Sequence, residues 1–391
     1  MISGLKLVLK KNRFIFYLNA KYKSNKVKRQ YLKIVKKYEK MLPQHSFQYL
    51  LERNGFTRQW SSKFESRAPN IFYLGTNELQ DKSGFIQALE KVANVSLFYK
   101  EDKNYGQYDI SQNPITSNRK RLFELFNELN DSDELPDILL MQTWEWRIGL
   151  STLLDLKSKY SELKIINICM DDRHAFYNYG DSKAGTAGLM PALDLVLNAA
   201  EEAVDWYLKD QVPALYFPEA SSLSFYYPMD IAKKYDVGFV GGSYGIRKKI
   251  VDALTKHNIR VKAYGSGWDA GMLPLNQTNI FFNECRIVLG VGTIGYCDDF
   301  YALKLRDFDA PLSGACYVTH DNHDLHTLYE VNSEVVLCNN INDYVVKIRD
   351  LLSNQDKITM IAGKGHKRAL NEHTYEHRLS ALFSKLGITN R

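Results

Sequence analysis

Asp236-Val-Gly-Phe-Val-Gly-Gly-Ser-Tyr-Gly-Ile-Arg-Lys-Lys249 reads as a buried strand that runs into a glycine turn and opens a helix. Glycine lets a backbone come close to a ligand, and a helix N-terminus offers unpaired N–H groups at the positive end of its dipole. Gly242 and Ser243 therefore mark a candidate phosphate cradle. The Ser243 hydroxyl is a donor, and Tyr244 lies on the same turn. Arg247, one turn into the helix, carries a planar fork suited to phosphate. The spacing is neither Gly-x-Gly-x-x-Gly nor Gly-Lys-Ser/Thr, so it carries neither a dinucleotide fingerprint nor a P-loop motif.

Strands and helices alternate on either side of this stretch. After it, strands are expected at Asp236–Gly241, Arg260–Gly265, Arg286–Val291, Ala315–Thr319 and Val335–Cys338. Helices are expected at Ile246–His257, Tyr301–Leu312, Asp324–Glu330, Ile341–Ser353, Gln355–Ala369 and Thr374–Leu386. Before it, apolar runs stand at Ile71–Leu74, Val95–Tyr99, Asp137–Met141, Lys164–Met170, Leu193–Asn198 and Ala214–Phe217, mostly separated by helical stretches. Apolar runs separated by helices mean parallel sheets. The fold class is α/β, two Rossmann-like domains facing each other across a cleft, where open sheets bind ligands. The expected boundaries are a basic helical arm at 1–66, an N-terminal domain at 67–225 and a C-terminal domain at 226–391. The last helix is free to pack back on the N-terminal domain, and 224–233 is a short hinge.

The 391 residues are 45% hydrophobic and 25% charged, the ordinary globular mix, which excludes disordered and collagen-like chains. There is no run of 18 apolar residues to span a membrane, and lysines interrupt Met1–Leu9 too early for a secretion signal. Five scattered cysteines without a Cys-x-x-Cys pair fit reduced thiols in a cytoplasm. Charge is uneven. Residues 1–40 hold 13 Lys/Arg against one acid, Glu39, so an arm of +12 joins a body of −6. Val27, Tyr31, Ile34, Val35, Tyr38 and Leu42 fall on one helical face. With Phe14, Phe16, Tyr17 and Tyr22 among its lysines, the arm suits an anionic membrane surface, giving a peripheral place at the cytoplasmic face. Docking on the protein's own body is the other reading, and no nucleic acid partner is expected.

On the expected helix 301–312, Asp309 faces the cleft near a Gly314 cap and suits a ribose diol, with Lys304 or Arg306 available to a diphosphate. In the N-terminal half, Trp144, Trp146 and Arg147 follow the third strand and suit sugar stacking and hydroxyl binding. Asp172, Glu145 and His174 lie in loops after strands and are the candidates for a general base, with helix capping the bland alternative for Asp171 or Asp172. His320, His323 and His326 sit in a strand–helix loop, and no metal site is expected there.

The stretch 236–386 resembles the glycosyltransferase group 1 domain in its CgeB-like, spore-maturation branch, of GT-B fold. Four segments carry the resemblance: the strand ending Phe-Val-Gly with Arg247 behind it, Tyr264-Gly-Ser-Gly-Trp268, Arg306-Asp-Phe-Asp-Ala-Pro-Leu-Ser-Gly314 and His373-Thr-Tyr-Glu-His-Arg378. The resemblance implies a nucleotide diphosphosugar donor, held by Ser243 and Arg247 at the diphosphate, Asp309 at the ribose and the Tyr264–Gly265 turn beside them, with no metal or other cofactor. Two positions depart from the family: Asp309 replaces glutamate, and Tyr301 stands where retaining enzymes of this fold place a second glutamate. The expected function is sugar transfer to a hydroxyl of a cell-envelope glycan, glycolipid or protein. The alternatives are a non-catalytic glycan-binding or assembly module and a nucleotide-sugar epimerase.

Overall fold

The computed structural model describes residues 13–177 and 184–388. Residues 1–12 and the side chains of Phe14, Phe16 and Tyr17 lie outside what it describes. Contacts divide the described chain into two units. One comprises residues 38–227, 305–313 and 366–388, the other 13–37, 228–304 and 314–365. The pieces 305–313 and 366–388, read from sequence with the second half, thus group with the first sheet, and the arm's 13–37 with the second.

The first unit carries six parallel strands, β1 (Asn70–Leu74), β2 (Asn94–Leu97), β3 (Ile138–Met141), β4 (Lys164–Cys169), β5 (Leu195–Asn198) and β6 (Ala214–Tyr216), in the order β2-β1-β3-β4-β5-β6. The second carries β7 (Tyr235–Val240), β8 (Val261–Tyr264), β9 (Cys285–Leu289), β10 (Cys316–His320) and β11 (Val336–Cys338), also parallel, in the order β11-β10-β9-β7-β8. Every expected strand is present within a residue or two of its expected ends. The reason is physical: strands covered on both faces become near-continuous apolar runs. Val237, Phe239, Ile287, Leu289 and Val318 are buried in one cluster with Ile250, Leu254 and Ile348 from the covering helices. Each such side chain contributes about 1.5–3 kcal/mol on burial.

Two local expectations are corrected. The helix expected at Tyr301–Leu312 starts only at Arg306. Residues 300–302 instead run back antiparallel along 292–294: the Ile294 N–H donates to Phe300 O at 2.8 Å and the Ala302 N–H to Gly292 O at 3.0 Å. Two backbone hydrogen bonds made next to the sheet outweigh the helix propensity of Tyr-Ala-Leu-Lys304, which differs between residues by only tenths of a kcal/mol. The helix Leu275–Glu284 was not expected at all. It presses so closely on β7 that a Cβ on Gly238 would lie 2.9 Å from the Phe281 ring.

The arm is a helix, Arg13–Tyr38. Ile34 and Tyr38 of the expected apolar face are buried, and Val27, Tyr31 and Val35 half-buried. Leu42 lies past the helix end and is exposed. Against the second unit, Lys28 pairs with Asp299 and the Tyr31 ring lies 4.9 Å from Phe300. Tyr38, in the first unit, donates its hydroxyl to Asp210 and stacks on Trp206. All five cysteines are buried thiols.

Candidate active site

In the five-stranded sheet the strand order reverses between β7 and β9. Ligands bind open α/β sheets at the carboxyl ends of strands flanking such a switch. The loop after β7 is Gly241–Gly245, and the loop after β9 runs through Gly290–Thr293. A third loop, Gly265–Trp268, is laid on the first. Gly241 N–H donates to Tyr264 O at 2.8 Å, Ser243 N–H to Ser266 O at 2.9 Å, and Trp268 Nε1 to Gly241 O at 2.7 Å. This doubled loop explains the Tyr-Gly-Ser-Gly-Trp segment. At Gly265, with φ at +127°, a Cβ would sit 2.4 Å from Gly241 O, so no other residue fits.

The first and third of these loops wall a pocket of about 1380 Å³. Gly242, Ser243, Tyr244 and Gly265 line it, as do Lys248, Lys249 and the 296–299 loop. Behind the loop begins the helix Ile246–Lys256, whose first turn no side chain caps. Arg247 is placed differently from the sequence expectation. It is 4% exposed, its Nε donates to Val291 O at 3.2 Å, one Nη contacts Gly242 O at 3.4 Å, and its guanidinium lies 4.2 Å from the Tyr244 ring centroid. Its fork ties the β7 loop to the β9 loop across the switch. Lys304 passes close by, its Cγ 3.4 Å from where a Gly292 Cβ would stand.

Asp309 and Arg306 belong to the first unit. Asp309 is 5% exposed and accepts from Ser221 Oγ at 2.7 Å, with Tyr226 as a second hydrogen-bond partner. Burial pushes its carboxyl up to about 8, against the lowering effect of those bonds. The His373–Arg378 segment meets the same place: Ser221 N–H donates to His373 O and Tyr375 N–H to Ser221 O, both at 3.0 Å. Two of the four segments quoted above thus converge on Ser221.

In the six-stranded sheet the loops after β3 and β4 bring several of the expected residues together. Trp144 and Trp146 are stacked with nearly parallel rings, centroids 6.1 Å apart, and the Arg147 guanidinium lies 5.4 and 4.9 Å from them. Burial lowers the Arg147 pKa. Glu145 lines a separate pocket of about 440 Å³ with Tyr177, Met190 and Asp210. His174 lies 3.8 Å from the Asp171 carboxylate.

Asp172 is 1% exposed. It accepts from Thr186 Oγ1 at 2.6 Å, Asn198 Nδ2 at 2.5 Å and Tyr207 OH at 2.8 Å. Burial raises its carboxyl to about 6. Asp171, not Asp172, occupies the N-cap position, and no side-chain cap bond forms there. Asp172 ends a buried polar chain the sequence reading missed. Tyr207 adjoins Cys169, Asn167 donates to Cys169 Sγ and to Thr143 O, and Thr143 donates to Gln107, whose amide reaches the carbonyls of Leu74, Gly75 and Gln142. Asn167, inside Lys-Ile-Ile-Asn-Ile-Cys169, was the available signal.

The three histidines do not converge. His320 Nδ1 accepts from the Gly292 N–H at 3.2 Å, and its ring stacks 3.8 Å from Tyr301. His326 pairs with Asp321 at 2.6 Å, 6.4 Å ring to ring from His323.

Comparison with solved structures fits this pair of sheets to known proteins. A sucrose-phosphate synthase from Thermosynechococcus elongatus superposes with a TM-score of 0.56 at 10% identity, over 81% of this chain and 99% of that one. HepE from Anabaena, in complex with UDP and glucose, gives 0.54 at 12% identity over 81% and 99%. An alpha-glucosyltransferase in complex with UDP and a mismatched DNA 13-mer gives 0.55 at 10% identity over 82% and 99%. The fold is GT-B. Residues 247–384 of this GT-B chain match the family model described as glycosyl transferase-like. That span begins at Arg247 and takes in the Arg306–Gly314 and His373–Arg378 segments. A search of curated proteins gave no sequence match.

Proposed function

We propose that this chain is a glycosyltransferase of the group 1 kind, in the CgeB-like branch, moving a sugar from a nucleotide diphosphosugar to a hydroxyl of a cell-envelope glycan, glycolipid or protein. The observation that carries this is the doubled glycine loop at the β7/β9 switch, walling a pocket large enough for a nucleotide sugar. The family match over 247–384 and the GT-B neighbours with UDP support it. The Gly242 amide, the Ser243 hydroxyl and the uncapped helix start stabilise charge growing on the departing diphosphate. Arg247 acts by holding that loop in place. Glu145, in a pocket beside the Trp144–Arg147 cluster, is the best placed candidate base, with His174 next; Asp172, enclosed by three donors, positions the loops under them.

No group of three or more His, Cys, Asp or Glu that could hold a metal occurs among the described residues. We propose donor binding without a divalent ion, the uncapped helix start and the lining lysines meeting the diphosphate charge. A thermal-shift series with UDP, GDP, dTDP and ADP is expected to raise the midpoint with one of them by several degrees, equally with and without chelator. No shift with any nucleotide would remove the donor pocket. A shift abolished by chelator and restored by Mn²⁺ would remove only the metal-free reading.

A second reading has two observations in its favour. Asp309 is enclosed by Ser221 and Tyr226, and Tyr301 replaces the second glutamate, as in a module that kept the fold and lost donor chemistry.

We also propose a peripheral membrane place for the arm, at the cytoplasmic face. No helix among the described residues is long and apolar enough to cross a membrane. Lys26, Arg29, Lys33 and Lys36 are exposed along one stripe of the arm helix, with Tyr22 beside them. Each basic group near anionic lipid contributes about 1 kcal/mol. Vesicles containing phosphatidylserine should pellet the wild type at low salt and release it as salt rises. Lys26→Gln/Lys33→Gln/Lys36→Gln should pellet several-fold less; equal pelleting would show that the stripe is only a solvated face.

A further inference from the structure

The arm helix does more than cover the second unit. Ala20, Lys21, Ser24, Asn25 and Lys28 line the same pocket of about 1380 Å³ that the glycine loops wall. Their spacing puts them on one helical stripe that runs into the buried Tyr31–Tyr38 face and lies away from the exposed Lys26–Lys36 stripe. That face is fixed in place. Lys28 pairs with Asp299, Tyr31 packs on Phe300 one turn further on, and Cys297 Sγ lies 3.9 Å from Ser24 O.

Charge shows what the face supplies. The pocket lining holds four lysines, Lys21, Lys28, Lys248 and Lys249, against three aspartates, Asp252, Asp298 and Asp299. Without the arm it would hold two against three, an acidic lining facing the place proposed for a diphosphate. Lys248 is paired with Asp252 at 2.8 Å, Lys249 with Asp298 at 3.0 Å, and Lys28 with Asp299. Lys21 is the lining lysine with no ion pair among the described residues. An ammonium on a four-carbon stem can follow a phosphate as a mobile point charge.

We propose that the arm completes the donor site: Lys21 and Lys28 are anion ligands for the diphosphate of a nucleoside diphosphate bound between the arm helix and the glycine loops. This rests on the donor-pocket reading above. It gives the basic arm a role in substrate binding that lies outside the matched span 247–384.

The test is calorimetric titration of UDP, GDP, dTDP and ADP into the full chain, with helix content checked by circular dichroism. Lys21→Gln/Lys28→Gln should bind the preferred nucleotide at least tenfold more weakly than wild type, and Lys21→Arg/Lys28→Arg should recover most of that loss. Lys26→Gln/Lys33→Gln removes the same charge from the exposed side and should stay within twofold of wild type. If the two glutamine pairs bind equally, the arm is no ligand and this proposal falls while the donor pocket stands. If wild type binds none of the four nucleotides, the donor pocket falls and the arm's role with it.

Discussion

Replacing Arg247 with methionine is expected to weaken nucleotide binding more than tenfold and to destabilise the second unit by about 2–4 kcal/mol, since it opens space in a packed site and strands buried carbonyls. The guanidinium is buried between Val291 O, Gly242 O and the Tyr244 ring. Methionine fills much of the volume and satisfies neither oxygen. Lysine keeps the charge but cannot reach two carbonyls with one planar group, so Arg247→Lys should recover stability in part and affinity little. Denaturant midpoints and nucleotide titrations measure the two effects. A stable Arg247→Met chain with lost affinity would show that the guanidinium binds phosphate directly. Unchanged affinity would show that the loop holds its shape without it.

Asp309→Asn is expected to make the first unit more stable, and increasingly so as pH rises. The folded carboxyl is pushed up to about 8 by burial, against an ordinary value of 3.8. Between those values the folded state holds a proton that the unfolded state has lost. Stability therefore falls as pH rises across about pH 4 to 8, with a slope of at most about 1.4 kcal/mol per pH unit from this group. Above about 8 the buried carboxylate is charged and the full cost remains. Asparagine never ionises, and its amide can still accept from Ser221 and donate to Tyr226. Unfolding midpoints at pH 5, 7 and 9 should diverge in favour of the variant. Nucleotide affinity should stay within twofold, because the group is turned to Ser221. A variant that loses affinity at all three pH values would place Asp309 at the ribose.

The parallel strands were legible because burial on both faces leaves almost nothing polar in them, as in Ile-Leu-Leu-Met141 or Gly-Phe-Val240. The glycine turn was legible because few residues tolerate its backbone. The helix Leu275–Glu284 was not: Leu-Asn-Gln-Thr-Asn-Ile-Phe-Phe-Asn-Glu is rich in weak helix formers. What holds it is tertiary. Asn283 accepts from the Met229 N–H and donates to Asn279 O. Tyr301–Lys304 carries helix-compatible residues, yet pairing with 292–294 decides it. The direction of a charged side chain is the other illegible quantity. A fork one turn into a helix behind a glycine loop reads the same whether it points at a phosphate or, as Arg247 does, at two carbonyls. Asp172 and Asp309 likewise read as open carboxylates, and only packing turns them inward. The arm's lysines read as surrounding one apolar face, whereas docking separates Lys21 and Lys28, which line the pocket, from Lys26 and Lys33, which do not.

The proposed transferase must consume a nucleotide diphosphosugar. The direct measurement is release of nucleoside diphosphate from UDP-glucose, UDP-N-acetylglucosamine, GDP-mannose, dTDP-rhamnose and ADP-glucose, with and without a cell-envelope extract as acceptor. Gly265→Val, which drives a side chain into Gly241 O, serves as the inactive control. Release from one donor, faster with extract, and none in the control is the expected result. A chain that binds a nucleotide in thermal shift yet releases nothing from any donor, with or without acceptor, would contradict it and leave the non-catalytic module as the reading.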